Sequence, residues 1–209
     1  MLRILIADDH TVVRKGLKQI LLEEFPTAHI EEVPDAEEMV KKVMNANWDV
    51  VVSDMSMPGR SGLDALQQIK QIYPDLPVLI LSIHPEEHYA LRVLKAGASG
   101  YLSKGSASDE LVKAVQTVLL GKRYISASVA EKLASSLSSD SGKLAHELLS
   151  DREFDVMKLL AAGKSVSDIA EILSLSVTTI STYRARIMTK MNLKTNSDLT
   201  KYAIESKLI

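Results

Sequence analysis

The chain has 209 residues, of which 46% are hydrophobic and 25% are charged, and its net charge is −2. These are ordinary values for a folded globular protein. The absence of cysteine excludes disulfides, thiolate catalysis and thiolate zinc sites. No apolar run approaches the roughly 18 residues of a membrane span, and the first apolar stretch is too short for a secretory signal. We therefore expect a cytoplasmic protein with no membrane partner.

Residues 1–121 alternate short aliphatic runs with segments of helical periodicity. The first run covers residues 2–7, and the segment after it has apolar residues on one helical face at Val13, Leu17, Ile20 and Leu21. The pairing recurs with four more runs, at 29–33, 50–53, 78–82 and 100–103. Continuous apolar strands that alternate with helices are typical of parallel sheets covered on both faces. The sequence therefore predicts a doubly wound α/β domain with five strands.

The remainder of the chain changes character after Gly121. Residues 122–147 are rich in serine and predict a linker that contains a short helix near 129–137. Residues 148–209 predict a second, smaller all-α domain of four helices, at 151–162, 166–173, 177–192 and 196–206. Each helix is preceded by a hydroxyl residue that can cap it, namely Ser150, Ser165, Ser176 and Thr195.

Polar side chains stand where four of the predicted strands end. Asp8 and Asp9 follow the first run, Asp54 ends the third, Ser82 ends the fourth and Lys104 follows the fifth. Ligands of such sheets bind beyond the carboxyl ends of the strands, so we expect these side chains to converge. Three carboxylates at one edge would repel one another, and a divalent cation such as Mg²⁺, which prefers oxygen ligands, would remove the repulsion.

The same edge predicts a covalent phosphate site. Lys104 supplies a cation and Ser82 a neutral donor for phosphate oxygens. The chain has no cysteine, no glycine-rich phosphate loop and no apparent Ser-His pair, so the nucleophile left at this edge is a carboxylate. A carboxylate that attacks a phosphoryl group forms an aspartyl phosphate, and we predict that Asp54 is the acceptor.

These residues resemble the receiver domain of bacterial two-component response regulators. The resemblance is carried by Asp8-Asp9, by Asp54 with Pro58-Gly59, by Ser82 and by the stretch from Tyr101 to Lys104. It implies a flavodoxin-like fold with Asp54 as the phosphoacceptor and Lys104 in contact with the phosphoryl group. It also implies that Ser82 and Tyr101 act as switch residues. The implied Mg²⁺ ligands are Asp9, Asp54, the Ser56 carbonyl and, through water, Asp8.

Three further residues lie beside this predicted site. Ser56 and His84 lie two residues after Asp54 and Ser82, where they would either tune the lifetime of the phosphoryl group or form plain loop surface. We expect His10, beside the acidic pair, to be loop surface rather than a ligand.

The second and third helices of the C-terminal domain are joined by a short turn at 174–176. The third helix has an apolar side, formed by Val177, Ile180, Ile187 and Met191, while hydroxyl and basic residues occupy its other sides. This arrangement predicts a helix-turn-helix, whose second helix enters the major groove of double-stranded DNA.

Residues 149–193 resemble the LuxR-type DNA-binding module, and both domains together resemble the NarL/FixJ class of response regulators. Thr178 belongs to the exposed hydroxyl surface, and the resemblance implies base-facing positions at Ser181, Thr182 and Ala185. The implied phosphate contacts are Thr179, Arg184, Arg186 and Lys190. Relatives often have a lysine and a histidine where this chain has Ser181 and Tyr183, so their base preference does not transfer.

The favoured function is a transcription regulator, not an enzyme, whose DNA binding is controlled by phosphorylation of Asp54. The implied partners are a histidine kinase, promoter DNA and a second copy of the chain after phosphorylation, with RNA polymerase as a further candidate. One alternative is a phosphohydrolase of the haloacid dehalogenase type, although its motif has a second carboxylate where this chain has Ser56. The other is a phosphorylation-independent DNA-binding protein with the receiver as a dimerisation scaffold, against which the intact acceptor set argues.

Overall fold

The computed structural model of the protein describes residues 1–126, 129–131, 144–206 and 208–209. The chain divides into two compact units, Met1–Ser139 and Asp140–Ile209. The short helix predicted near 129–137 lies mostly outside the described residues. Among the helices of the described ranges, none is both long and apolar enough to cross a membrane.

The first unit is built on a five-stranded sheet. Its strands are β1 Arg3–Ala7, β2 His29–Val33, β3 Val50–Asp54, β4 Val78–Ser82 and β5 Gly100–Ser103. They lie in the order β2-β1-β3-β4-β5, and all neighbouring pairs are parallel. The predicted five-stranded parallel sheet is confirmed.

Helices alternate with these strands along the chain, as predicted. They are α1 Thr11–Glu24, α2 Ala36–Asn45, α3 Gly62–Ile72, α4 Glu86–Lys95 and α5 Ala107–Leu119. Every residue of β3 and β4 is buried, which fits strands that carry apolar side chains on both faces. On one face, α1 and α5 complete a core around the strands with residues that include Leu17, Leu21, Leu111 and Val115.

The register of the sheet aligns the ends of its central strands. Asp54 lies opposite Leu81, and Ser82 lies opposite Ser103. Because all the strands are parallel, the segments that follow β1, β3, β4 and β5 meet at one edge of the sheet. This alignment positions the candidate site.

The chain beyond α5 packs along β5. Tyr124 forms an isolated parallel bridge with Gly100, and its N–H donates to the Ser99 carbonyl at 2.8 Å. A Cβ atom at Gly100 would lie 2.7 Å from the Tyr124 carbonyl oxygen, so glycine permits this close approach. The start of the segment predicted as a linker therefore contacts the sheet.

The second unit contains a 3₁₀ helix, Ala145–Leu148, and four α-helices: α6 Asp151–Ala161, α7 Val166–Ile172, α8 Val177–Met191 and α9 Asn196–Glu205. Each α-helix begins after a hydroxyl residue whose side chain accepts a backbone N–H three residues further on, as predicted. Between α7 and α8, Ser174 has a φ of 54°, which makes the turn tight. The two helices therefore form a helix-turn-helix.

Candidate functional site

Two aspartates and one lysine meet at the carboxyl edge of the sheet. Asp8 and Asp54 are buried, with 0% and 3% of their surface exposed. Lys104 Nζ lies 2.7 Å from Asp8 Oδ2 and 2.9 Å from Asp54 Oδ2. The lysine therefore bridges two carboxylates at the ends of the neighbouring strands β1 and β3.

Backbone N–H groups hold the other oxygen of each carboxylate. Asp8 Oδ1 accepts a hydrogen bond from the N–H of His10 at 2.8 Å. Asp54 Oδ1 accepts one from the N–H of Ser56 at 3.3 Å. Each carboxylate is thus fixed by its own loop and keeps its second oxygen toward Lys104.

Gly62, which sequence reasoning did not single out, positions the loop between β3 and α3. Its N–H donates to the Met55 carbonyl at 3.0 Å. A Cβ atom at Gly62 would lie 1.9 Å from the carbonyl oxygen of Asp54. Any larger residue would therefore move the backbone of Asp54. The available sequence signal was a glycine directly after the Ser61 cap, where helix propensity disfavours it.

Burial and neighbouring charges shift the titration of this cluster. Burial raises the pKa of Asp54 above its ordinary value; Lys104 opposes the rise and Asp8 adds to it. Burial also lowers the pKa of Lys104, but its close contacts with the two carboxylates outweigh burial and leave that pKa above its ordinary value. Lys104 is therefore a cation throughout the neutral range, while Asp54 carries its charge at a free-energy cost.

The acidic cluster fits a divalent cation. One ligand atom from each of Asp8, Asp9, His10 and Asp54 lies within 4.8 Å of the others. Asp8 Oδ2 and Asp9 Oδ1 are buried and accept no well-directed hydrogen bond from described residues, although nitrogens of Lys104 and His10 lie 2.7 Å from them. Carboxylate oxygens of this kind are the ligands that Mg²⁺ prefers. The His10 side chain itself is 66% exposed.

Ser82 and Tyr101 both bind the loop that follows β4. Ser82 is buried, and its Oγ accepts a hydrogen bond from the N–H of His84 at 3.0 Å. The buried Tyr101 hydroxyl donates to the His84 carbonyl at 2.7 Å. Burial raises the pKa of Tyr101 to about 12, so the hydroxyl stays protonated and remains a donor. The His84 ring in turn lies 3.4 Å from Ser56 Oγ and stacks on Tyr89.

Helix α8 exposes most of the residues predicted to contact DNA. Ile180 and Ile187 are buried against the rest of the unit. Thr179 and Arg184 are partly buried, and Arg184 Nε donates to Asn196 Oδ1 at 3.0 Å. The exposed residues are Thr178, Ser181, Thr182, Ala185, Arg186 and Lys190.

Lys190 is paired with a buried carboxylate, a contact that sequence reasoning did not identify. Lys190 Nζ lies 2.6 Å from Glu153 Oε2, and Glu153 is 2% exposed. The same carboxylate accepts the N–H of Ser150 at 2.7 Å. Burial raises the pKa of Glu153, but the hydrogen bonds from Lys190 and Ser150 outweigh burial and hold that pKa below its ordinary value. The pair connects α6 to α8.

Comparison with known proteins gives a match to each unit. Residues 4–116 match the response regulator receiver domain, and residues 147–203 match the bacterial regulatory proteins of the luxR family. The chain is 37% identical over 215 residues to the oxygen regulatory protein NreC of Staphylococcus carnosus, covering 100% of this chain and 99% of that protein. It is 36% identical over 209 residues to the response regulator UvrY of Escherichia coli, covering 100% and 96%.

Solved structures agree with these matches. RcsB of Salmonella enterica serovar Typhimurium, bound to promoter rprA with a phosphomimetic, aligns with a TM-score of 0.61 and 27% identity over 97% of this chain and 98% of that chain. Sequence and structure thus place the protein among response regulators that join a receiver domain to a LuxR-type DNA-binding domain. The chain belongs to the NarL/FixJ class of two-component response regulators.

Proposed function

We propose that Asp54 accepts a phosphoryl group from a histidine kinase and that this modification controls DNA binding by the second unit. The observation that carries the proposal is the geometry at the end of β3. There a buried aspartate lies 2.9 Å from Lys104 Nζ, beside the acidic pair that follows β1. The modification is reversible covalent chemistry on a carboxylate nucleophile.

The transfer needs few chemical steps from the protein. An Asp54 carboxylate oxygen attacks the phosphorus atom of a phosphohistidine. A P–O bond forms, the P–N bond breaks, and the electron pair leaves on the imidazole nitrogen, which takes a proton. Lys104 balances negative charge at the product because its ammonium group already contacts Asp54.

Mg²⁺ is the cofactor that this site fits. Asp9, Asp54 and the Ser56 carbonyl would hold the ion, with Asp8 acting through water. When bound, the ion neutralises the carboxylates and polarises the phosphoryl oxygens. Asp8 Oδ2 and Asp9 Oδ1, which accept no well-directed hydrogen bond from described residues, support this assignment.

Ser82, Tyr101 and the loop after β4 form the proposed switch. His84 is held on one side by Ser82 Oγ and on the other by the Tyr101 hydroxyl. If the Ser82 side chain rotates so that its hydroxyl donates to a phosphoryl oxygen, its Oγ moves away from the N–H of His84. The loop and the carbonyl that binds Tyr101 then rearrange together, which links the phosphate to a larger displacement.

The second unit is the proposed DNA reader, with α8 as the recognition helix. Its base-facing positions are Ser181, Thr182 and Ala185, next to Thr178. Contacts to phosphates come from Thr179, Arg184, Arg186 and Lys190. After phosphorylation two copies of the chain bind a pair of half-sites related by a two-fold axis, because each copy presents one such helix.

The proposed roles of the two units also lead to domain bounds, a further partner and a choice between the alternative functions. The proposed domains are a receiver at 1–121, a linker at 122–147 and a DNA-binding domain at 148–209. RNA polymerase is a further candidate partner at promoters.

The chain acts as a regulator and not as a phosphohydrolase, because Ser56 stands where those enzymes have their second carboxylate. The complete acceptor set argues against a receiver that serves only as a scaffold.

Phosphorylation by acetyl phosphate tests the proposal. The full chain in Mg²⁺ should gain one phosphoryl group that is labile to alkali, as an acyl phosphate must be, and mass spectrometry measures the gain. Asp54→Asn or removal of Mg²⁺ by a chelator should abolish it. The control is Asp75→Asn, which changes an exposed aspartate and should leave the gain intact. A phosphorylated Asp54→Asn chain would refute the assignment of the acceptor.

A further inference from the structure

The residues of α8 that lie most nearly opposite its buried face are uncharged. Ile180 and Ile187 point into the core of the unit. At about 100° of rotation per residue, Thr182 and Ala185 lie on the far side of the helix. Thr178 and Thr189 extend the same side toward the two ends, and all four residues are exposed. The DNA-facing role of this side comes from its place on the second helix of the helix-turn-helix, and not from its small residues alone.

The cations of α8 lie away from that central line. Arg184 is on the flank nearest the core, and its Nε donates to Asn196 Oδ1 at 3.0 Å. Lys190 is on the other flank, and it is paired with Glu153 at 2.6 Å. Arg186 lies on the same flank as Lys190. These positions suit contacts to the two sugar-phosphate backbones that border a groove, whereas the commonest specific contact to a base is a bidentate arginine on guanine.

The hydroxyl protons of Ser181 and Thr182 are already donated to the helix itself. Ser181 Oγ donates to the Val177 carbonyl at 2.9 Å, and Thr182 Oγ1 donates to the Thr178 carbonyl at 3.0 Å. Such bonds to the preceding turn leave a hydroxyl only its lone pairs for an outside partner. At Ser181, Thr182 and Ala185 the helix therefore offers methyl groups and hydrogen-bond acceptors, and not the donors that guanine O6 and N7 require.

We propose that α8 selects thymine in the major groove by apolar contact, with the γ-methyl of Thr182 and the β-methyl of Ala185 against the thymine C5-methyl group. Ser181 Oγ accepts from the exocyclic amino group of an adjacent adenine or cytosine. The inference rests on the proposed DNA-binding function and adds the chemistry by which bases are chosen. Apolar contact by Ala or by a Thr methyl with this group is a known form of direct readout.

The first test identifies the DNA sequence that the chain binds and then removes the methyl group of one thymine at a time. Duplexes that bind the full chain, treated with acetyl phosphate and Mg²⁺, are selected from a random library, and each thymine of a half-site is replaced in turn by deoxyuridine. At one or two positions the loss of the methyl group should weaken binding about fourfold, as expected for one buried methyl group. Fluorescence anisotropy measures the affinity.

A matched pair of variants assigns the contact to a side chain. Thr182→Ser keeps the hydroxyl and loses the methyl group, so it should bind thymine and deoxyuridine duplexes equally at the read position. Thr182→Val keeps a methyl group and loses the hydroxyl, so it should still prefer thymine. Thr189→Ser, which removes the same methyl group two turns further along α8, should leave the preference unchanged. Equal urea midpoints for the variants exclude misfolding as the cause.

The outcomes separate this inference from the function on which it rests. Selection of half-sites whose affinity depends on guanine O6 and N7, or tight binding with no effect of any deoxyuridine, would overturn thymine readout and leave DNA binding intact. Equal affinity for all duplexes would also overturn thymine readout and leave DNA binding intact. If no duplex binds even at low salt, the DNA-binding proposal itself fails and the inference fails with it.

Discussion

At the residue scale, the acidic cluster brings two buried carboxylates of like charge together. Asp8 and Asp54 are buried and share the single ammonium group of Lys104. A carboxylate removed from water costs free energy unless it is fully paired, and the raised pKa of Asp54 reflects that cost. We infer that the first unit is less stable than it would be without these charges, because the proposed nucleophile and the proposed metal ligands lie at one point.

Replacing the proposed nucleophile should therefore stabilise the fold. We expect Asp54→Asn to raise the free energy of unfolding of the first unit by on the order of 1 kcal/mol at neutral pH without Mg²⁺, because a buried charge is removed. The amide keeps the shape, and Lys104 is left to pair with Asp8 alone. Urea denaturation followed by circular dichroism measures the change. Mg²⁺ should then stabilise the wild type more than the variant. A variant less stable than the wild type would mean that the Asp54–Lys104 pair has a net stabilising effect.

Removing the lysine should have the opposite sign. Lys104→Met leaves two buried carboxylates without their counter-ion, and we expect a loss of about 3 kcal/mol. Adding Asp54→Asn to this variant should recover part of the loss, because one of the unpaired charges is then gone. A double-mutant cycle on the free energy of unfolding measures the coupling. Strictly additive effects would indicate that the three groups do not share one electrostatic environment.

At the element scale, the start of α3 controls the position of Asp54. Gly62→Ala would place a Cβ atom 1.9 Å from the Asp54 carbonyl oxygen, so we expect about 2 kcal/mol of destabilisation and slower phosphorylation by acetyl phosphate. Gly16→Ala is the matched control, since a Cβ atom there meets nothing within 4 Å. In the middle of α1 it should stabilise by up to about 1 kcal/mol. If Gly62→Ala and Gly16→Ala changed the stability alike, the loop between β3 and α3 would have to accept a Cβ atom without losing stability.

The contact between α6 and α8 predicts a pH dependence. Because the folded-state pKa of Glu153 lies below its ordinary value, the ionised carboxylate stabilises the second unit at neutral pH. That stability should be lost as the pH falls from about 4.5 through the lower folded-state pKa.

Two substitutions test the direction of this pKa shift. Glu153→Gln should destabilise the second unit by about 2 kcal/mol at neutral pH, and its difference from the wild type should shrink as the solution is made acidic. Urea denaturation at several pH values measures both effects. Arg186→Gln, on the exposed side of the same helix, serves as the control and should leave the stability unchanged. A difference that grew in acid would contradict the direction of the pKa shift.

At the scale of the whole molecule, the chain consists of two compact units, each with buried apolar residues of its own. The proposed acceptor, Asp54, lies in the first unit and the helix-turn-helix in the second. We expect a fragment of residues 148–209 to bind the operator with an affinity that acetyl phosphate does not change, whereas the affinity of the full chain should rise on phosphorylation. Anisotropy titrations of both proteins measure this, with circular dichroism to verify that the fragment is helical. A phosphorylated full chain that bound no better than the unphosphorylated one would remove the regulatory role of Asp54.

Local structure could be predicted from the sequence because it depends on neighbours along the chain. The alternation of aliphatic runs with helical periods predicted all five strands, and the hydroxyl caps predicted where α6 to α9 begin. The convergence of Asp8, Asp54 and Lys104 also followed, because parallel strands must all present their carboxyl ends at one edge.

Other contacts were decided only by the tertiary structure. Sequence alone did not indicate that Lys104 bridges two carboxylates, that Gly62 packs on the Asp54 carbonyl, or that Lys190 pairs with Glu153. The last pair joins residues 37 positions apart on two different helices. Periodicity determines which face of an element is buried. The partner that meets a given side chain depends on the register and distance at which separately formed elements pack, which only the folded chain sets.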